Sequence, residues 1–112
     1  MSETYFRRGR YEKVTLGEGN LSRRLLAYGG GLMLTEMEFE AGSRSVAHAH
    51  AEEQLTYCLS GEFESVVGGV KGSLRPGDSF YAGPEVEHGV LCLADGRLLH
   101  VFTPQREEYK KG

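Results

Sequence analysis

The 112-residue chain has no tryptophan, 3 prolines and 2 cysteines. Two cysteines, Cys58 and Cys92, do not make a disulfide scaffold, so apolar packing must hold the fold. Both read as small buried apolar groups. No apolar run approaches the ~20 residues of a membrane helix, which excludes a membrane partner of that kind. The opening segment is charged throughout and lacks the apolar stretch of a signal peptide, so a reducing cytoplasmic setting is expected. An excess of positive charge is also missing. The net charge is -3 and the pI about 5.8, which argues against nucleic acid as a partner. Arg7, Arg8 and Arg10 do cluster, but Glu3 and Glu12 flank them, and the group reads as a solvated terminus.

Glycine, by contrast, is abundant at 16 residues. Turn signals fall at Gly29-Gly30-Gly31, Ala41-Gly42, Ser60-Gly61, Gly68-Gly69, Arg75-Pro76-Gly77-Asp78, Gly83-Pro84 and Asp95-Gly96. Between them run short segments of period-two alternation. In Leu32 to Glu40, Met33, Met37 and Phe39 share one face, and Glu36, Glu38 and Glu40 the other. Leu55 to Leu59, Glu62 to Val67, Ser79 to Ala82, His88 to Leu93 and Arg97 to Thr103 are further candidate strands. Short strands punctuated by glycine predict an all-β sandwich or barrel, one domain over residues 1–112. Only the polar tail from Gln105 to Lys111 has any helical character.

Side-chain parity gathers the unusual residues. His48 and His50 are expected to point the same way, as are Gln54, Thr56 and Cys58, then His88, Val90 and Cys92, then Leu98, His100 and Phe102. If these faces line a barrel interior, histidines from distant segments meet inside a small cup. Buried imidazoles need polar partners, and one divalent cation satisfies several at once. Imidazole with oxygen suits Ni, Mn, Fe, Co or Zn. Glu52 and Glu53 compete with Gln54 as the oxygen donor on position alone.

The spacing Gly42-x5-His48-x-His50-x3-Gln54-x6-Gly61 resembles the first motif of the cupin superfamily, with Gln54 at the usual Glu position. Gly77 followed by His88 resembles the second motif, more loosely. Gly83 stands where Pro is typical, Glu85 where Gly is typical and Cys92 where Asn is. The resemblance implies a double-stranded β-helix, or jelly-roll barrel, with its shared part over about residues 32–104.

Three stretches, "HAHAEEQLTYCLSGEFESVVGG", "PGDSFYAGPEVEHGV" and "HVFTPQREEY", resemble the small single-domain cupins of the pectin-degradation KdgF family. That family converts 4,5-unsaturated uronates, small acidic sugars, to open-chain keto forms. The resemblance assigns His48, His50, Gln54 and His88 as ligands of one divalent transition metal. It matches Phe102 and Arg106 to the family's C-terminal motif, Asp-x-Phe-x-Pro-x-Arg. His100 stands in place of that motif's acidic residue, where it is expected to carry a proton. Arg106 is expected to grip the substrate carboxylate and Phe102 to wall the sugar. Tyr57 and Tyr81 are further candidates for the site. A homodimer is also implied, joined through the Glu-rich face of Leu32 to Glu40 and the N-terminus. The alternatives are another metal cupin, such as a dioxygenase or isomerase, and a non-catalytic binding module for a small ligand.

Overall fold

A computed structural model describes residues 3–111. Eight antiparallel strands follow in order: β1 (Val14–Leu16), β2 (Leu21–Gly29), β3 (Leu32–Phe39), β4 (Arg44–His48), β5 (Glu53–Val67), β6 (Val70–Leu74), β7 (Ser79–Ala82) and β8 (His88–Thr103). A 3-10 helix, Glu107–Lys111, ends the described chain. Among the described residues, no helix is long and apolar enough to cross a membrane. The all-β jelly roll expected from the sequence is therefore the fold observed.

Two long strands organise it. The first half of β5 pairs with β7 and with the second half of β8, which pairs on its other side with β3; β2 and β1 continue that sheet. The second half of β5 pairs with β6 and with the first half of β8, which also carries β4. Each long strand thus turns a corner from one layer to the other.

The corner falls at Ser60-Gly61 and Asp95-Gly96, which the sequence suggested as turns. They are opposed irregularities within β5 and β8, where the pairing register shifts. Gly61 has φ +85°, and a Cβ there would lie 2.6 Å from the carbonyl oxygens of Ala94 and Asp95. A Cβ on Gly96 would collide with Ser60 O. Only glycine lets the two backbones cross this closely. Consequently Leu55–Leu59 and Glu62–Val67 belong to one strand, as do His88–Leu93 and Arg97–Thr103. Gly68-Gly69, by contrast, forms the expected two-residue hairpin, with φ +55° and +81°.

The interior follows the expected parity. Leu21, Phe39, Cys58, Phe63, Leu74, Val90, Cys92 and Leu98 form the main core, with Phe39 edge-on to Phe63 at 5.2 Å. Both thiols are buried, and that burial pushes their pKa up, as inert core cysteines require. A second cluster joins Leu25, Met33 and Phe102 to Tyr11, Tyr28 and Tyr109. Truncating a fully buried aromatic such as Phe63 would cost about 3–5 kcal/mol.

One expectation about the N-terminus fails. Arg8 is not simply solvated: its guanidinium donates to Glu36 at 2.8 and 3.3 Å, and Arg97 approaches the same carboxylate at 3.7 Å. Glu36 lies on the outward face of β3 yet is only 4% exposed. The chain's own N-terminal segment covers that carboxylate. Arg10 pairs with Glu3 as its flanking position suggested.

Candidate metal centre

His48 ends β4, and β4 crosses β8 beside Gly89, where a Cβ would lie only 3.0 Å from the Ala47 backbone. That close approach sets His48 opposite His88 at the start of β8. His50 lies just beyond β4, so strand alternation does not account for its direction. Local hydrogen bonds aim the rings instead. Nδ1–H of His48 donates to Val46 O at 2.9 Å, that of His50 to Glu52 O at 2.8 Å, and that of His88 to Val86 O at 2.9 Å. A carbonyl only accepts, so each Nδ1 carries the proton and each Nε2 keeps a lone pair. The rings converge, with centroids 5.4, 4.5 and 4.9 Å apart. One ring nitrogen of each lies within 4.8 Å of the others, a cluster able to bind a metal.

Gln54 on β5 completes the donor set. Its Oε1 lies 3.1 Å from Nε2 of His50 and 3.1 Å from Nε2 of His88. With all three Nδ1 atoms protonated, these are acceptors facing acceptors. Such an arrangement is repulsive unless a cation stands among the atoms, and it therefore fits a divalent metal. The competing carboxylates are engaged elsewhere. Glu52 lies 3.7 Å from Arg106 Nε, and Glu53 accepts from the Tyr81 hydroxyl at 3.3 Å.

Behind Gln54 lies a buried polar network. Gln54 Nε2 donates to Thr56 Oγ1 at 2.8 Å and also lies 3.0 Å from His100 Nδ1. Thr56 Oγ1 is in turn 2.8 Å from that same Nδ1, to which its hydroxyl donates. Nδ1 of His100 is thus an acceptor, and the ring proton sits on Nε2. Burial pushes the pKa of His100 down to about 3, with His88 adding to the effect. Burial likewise lowers His88. The proton that His100 presents is therefore that of a neutral ring, not of an imidazolium.

The site opens into a cavity of about 270 Å³, lined by His48, Gln54, His88, His100, Phe102 and Arg106 among others. Phe102 sits between His50 and His100, with ring centroids at 5.8 and 5.9 Å. Arg106 donates to the Tyr109 hydroxyl at 2.8 Å and lies over the Tyr109 ring at 4.6 Å, while its buried Nε has no hydrogen-bond partner among the described residues. The seven residues that the resemblance assigns to the site are thus brought together. Tyr57 and Tyr81 are not: both point outward from the sheet, 45% and 53% exposed. The sequence reading missed Arg23, Arg44 and Thr35 in the cavity lining. Arg23 lies on β2, a strand without clear alternation, but Thr35 shares parity with Met33 and Met37 and was legible on that ground.

Comparison with known proteins agrees with this geometry. Residues 35–102 match the cupin domain model. The pectin degradation protein KdgF of Dickeya dadantii is 32% identical over 96 residues, spanning 84% of this chain and 86% of that protein. An RmlC-like cupin from Shewanella frigidimarina superposes with a TM-score of 0.88 at 36% identity, covering 96% of each chain. KdgF from a Halomonas species superposes with a TM-score of 0.87 at 28% identity, covering 96% of this chain and 98% of that one. Fold, histidine cluster and kinship agree: this chain belongs to the cupin family, among its KdgF-like members.

Proposed function

We propose that the chain is a metal-dependent enzyme that ketonises 4,5-unsaturated uronates, the small acidic sugars of pectin and alginate breakdown. The observation that carries this reading is one cavity that combines an acceptor-only donor set with an incompletely bonded arginine, Arg106. Kinship with a pectin degradation protein supports the substrate class. His48, His50, Gln54 and His88 would hold one Ni, Mn, Fe, Co or Zn ion, which when bound supplies Lewis-acid polarisation of a ligand oxygen. The overall change adds water across C4=C5, H at C4 and OH at C5, and the resulting hemiketal opens: the ring C5–O bond breaks as the C5 hydroxyl proton passes to the ring oxygen, leaving a ketone at C5. Arg106 holds the carboxylate on C5, with Tyr109 fixing the guanidinium plane; its Nε makes no hydrogen bond among the described residues, and Glu52, 3.7 Å away, is the anion that the substrate carboxylate displaces. Arg23 and Arg44 line the same cavity and add charge of the right sign. Phe102 gives the sugar a dry wall. His100 differs from the proton carrier expected of it: it serves as a fixed Nε2–H donor to the ligand.

A second reading, a non-catalytic binder of small acids or a different metal cupin, is favoured by His100 itself, a neutral ring where KdgF-like enzymes resemble one another in an acidic residue. The test is turnover. Metal-loaded protein is incubated with unsaturated galacturonate while the absorbance of its conjugated double bond is followed. The expected result is loss of absorbance that a chelator abolishes. Constant absorbance with every unsaturated uronate would leave only the second reading.

We further propose a cytoplasmic homodimer. The free thiols support the reducing compartment. The dimer is supported by an outward apolar row across four strands, where Leu34 pairs with Val101, Val101 with Leu55 and Leu55 with Tyr81. Leu55 and Tyr81 are 52% and 53% exposed.

A further inference from the structure

The cavity is lined by a buried polar atom that neither the histidine cluster nor Arg106 uses. Thr35 on β3 is completely buried, lines the cavity, and has no hydrogen-bond partner for Oγ1 among the described residues. Buried hydroxyls are almost always satisfied, because desolvating one without a partner is a net cost. Valine has the same shape without that cost, and the neighbours on this face, Met33 and Met37, are apolar. A threonine kept here implies that something supplies the missing bond.

Register shows what stands beside it. Thr35 is directly opposite His100 in the β3–β8 ladder, and His100 is directly opposite Thr56 in the β8–β5 ladder. Directly opposed side chains on one face have Cβ atoms about 5 Å apart. The Thr56 hydroxyl is committed to Gln54 and His100. The Thr35 hydroxyl is not, and His100 has its Nδ1 occupied while Nε2–H remains to donate.

We infer that Thr35 Oγ1 and His100 Nε2–H form a subsite for an uncharged oxygen of the ligand, a sugar hydroxyl or carbonyl. A ligand hydroxyl accepts from the imidazole N–H and donates to Thr35; a carbonyl accepts from both. The cationic groups of the cavity, Arg23, Arg44 and Arg106, serve the carboxylate. The two sets of groups together fix which end of a hydroxy acid goes where. This subsite rests on the proposed sugar-acid reading only in taking the ligand to be a polyhydroxy acid.

The test uses the full-length, metal-loaded protein as wild type, Thr35→Val and Thr35→Ser. Calorimetry with galacturonate, a saturated hydroxy acid, reads binding alone; unsaturated galacturonate reads turnover. Thr35→Val is expected to bind galacturonate about tenfold more weakly and Thr35→Ser within about twofold of wild type. Thr35→Val should also melt no lower than wild type and keep its full metal content, which separates lost recognition from lost structure. Wild-type binding by Thr35→Val would overturn the subsite. No turnover of unsaturated galacturonate, with galacturonate binding still dependent on Thr35, would sink the ketonisation reading and leave the subsite standing. Turnover indifferent to Thr35→Val in both KM and kcat would do the reverse. No binding of either sugar acid by wild type would overturn both.

Discussion

His100 Nδ1 lies 3.0 Å from the carboxamide nitrogen of Gln54. That contact decides which end of the amide faces the histidine cluster. An acceptor at position 100 draws the NH₂ group toward itself and leaves Oε1 pointing at His50 and His88. His100 is therefore a positioning residue for the donor set as well as a candidate ligand contact.

Removing that acceptor should weaken metal binding without touching any ligand atom. Loss of an outer hydrogen-bond partner typically costs about 10–100-fold in metal affinity. We expect that loss for His100→Phe in a competition with a chromogenic chelator. His100→Asp, whose carboxylate accepts from the same Gln54 and Thr56 donors, should hold metal within a few-fold of wild type while losing the Nε2–H contact to the ligand. Equal affinity in all three proteins would remove His100 from any positioning role.

The metal-stripped protein should lose stability on mild acidification. His100 stays neutral in the folded chain because burial lowers it to about 3, and burial lowers His88 as well. In the unfolded chain a histidine protonates near its ordinary value of 6.5. Below that pH the unfolded state binds more protons, so stability falls as pH falls. For His100 the window runs from 6.5 down to about 3, at about 1.4 kcal/mol per pH unit once well inside it. Urea melts between pH 6.5 and 5, above most carboxylate titration, isolate the effect. His100→Phe should show a shallower slope, and identical slopes would contradict the assignment.

Glu85 holds φ +62° on an exposed loop, and its backbone N–H donates to His50 O at 2.8 Å. The cupin motif carries glycine at this position, and the left-handed backbone is the physical reason. Glu85→Gly should relieve strain and stabilise the fold by roughly 0.5–1 kcal/mol, with metal content unchanged. A fall in melting temperature would show that the glutamate side chain contributes more than its backbone costs.

Much of this site was legible in the sequence, and particular residues show why some of it was not. Parity placed Gln54, Thr56, His88, His100 and Phe102 on interior faces, because β5 and β8 alternate cleanly on each side of their bulges. Ser60-Gly61 and Asp95-Gly96 read as turns because glycine serves a turn and a bulge equally, through positive φ at Gly61 and the missing Cβ at Gly96, and only the partner strand distinguishes them. Arg8 looked solvated because the carboxylate it pairs with, Glu36, lies 28 positions away. β6 was invisible because its residues are exposed up to Leu74 and show no alternation. His50 converged for a reason other than the expected one, since a carbonyl two residues on, not a strand pleat, turns its ring.

The central claim is that His48, His50 and His88 with Gln54 hold one divalent metal beside a cavity for a small acid. X-ray absorption spectroscopy on the purified protein, with elemental analysis of the same sample, tests it most directly. The account predicts one metal per chain in a shell of three imidazole nitrogens plus oxygen, with the metal lost in His88→Ala. A wild-type protein that takes up no divalent transition metal, or a His88→Ala variant that retains full occupancy and an unchanged spectrum, would contradict it.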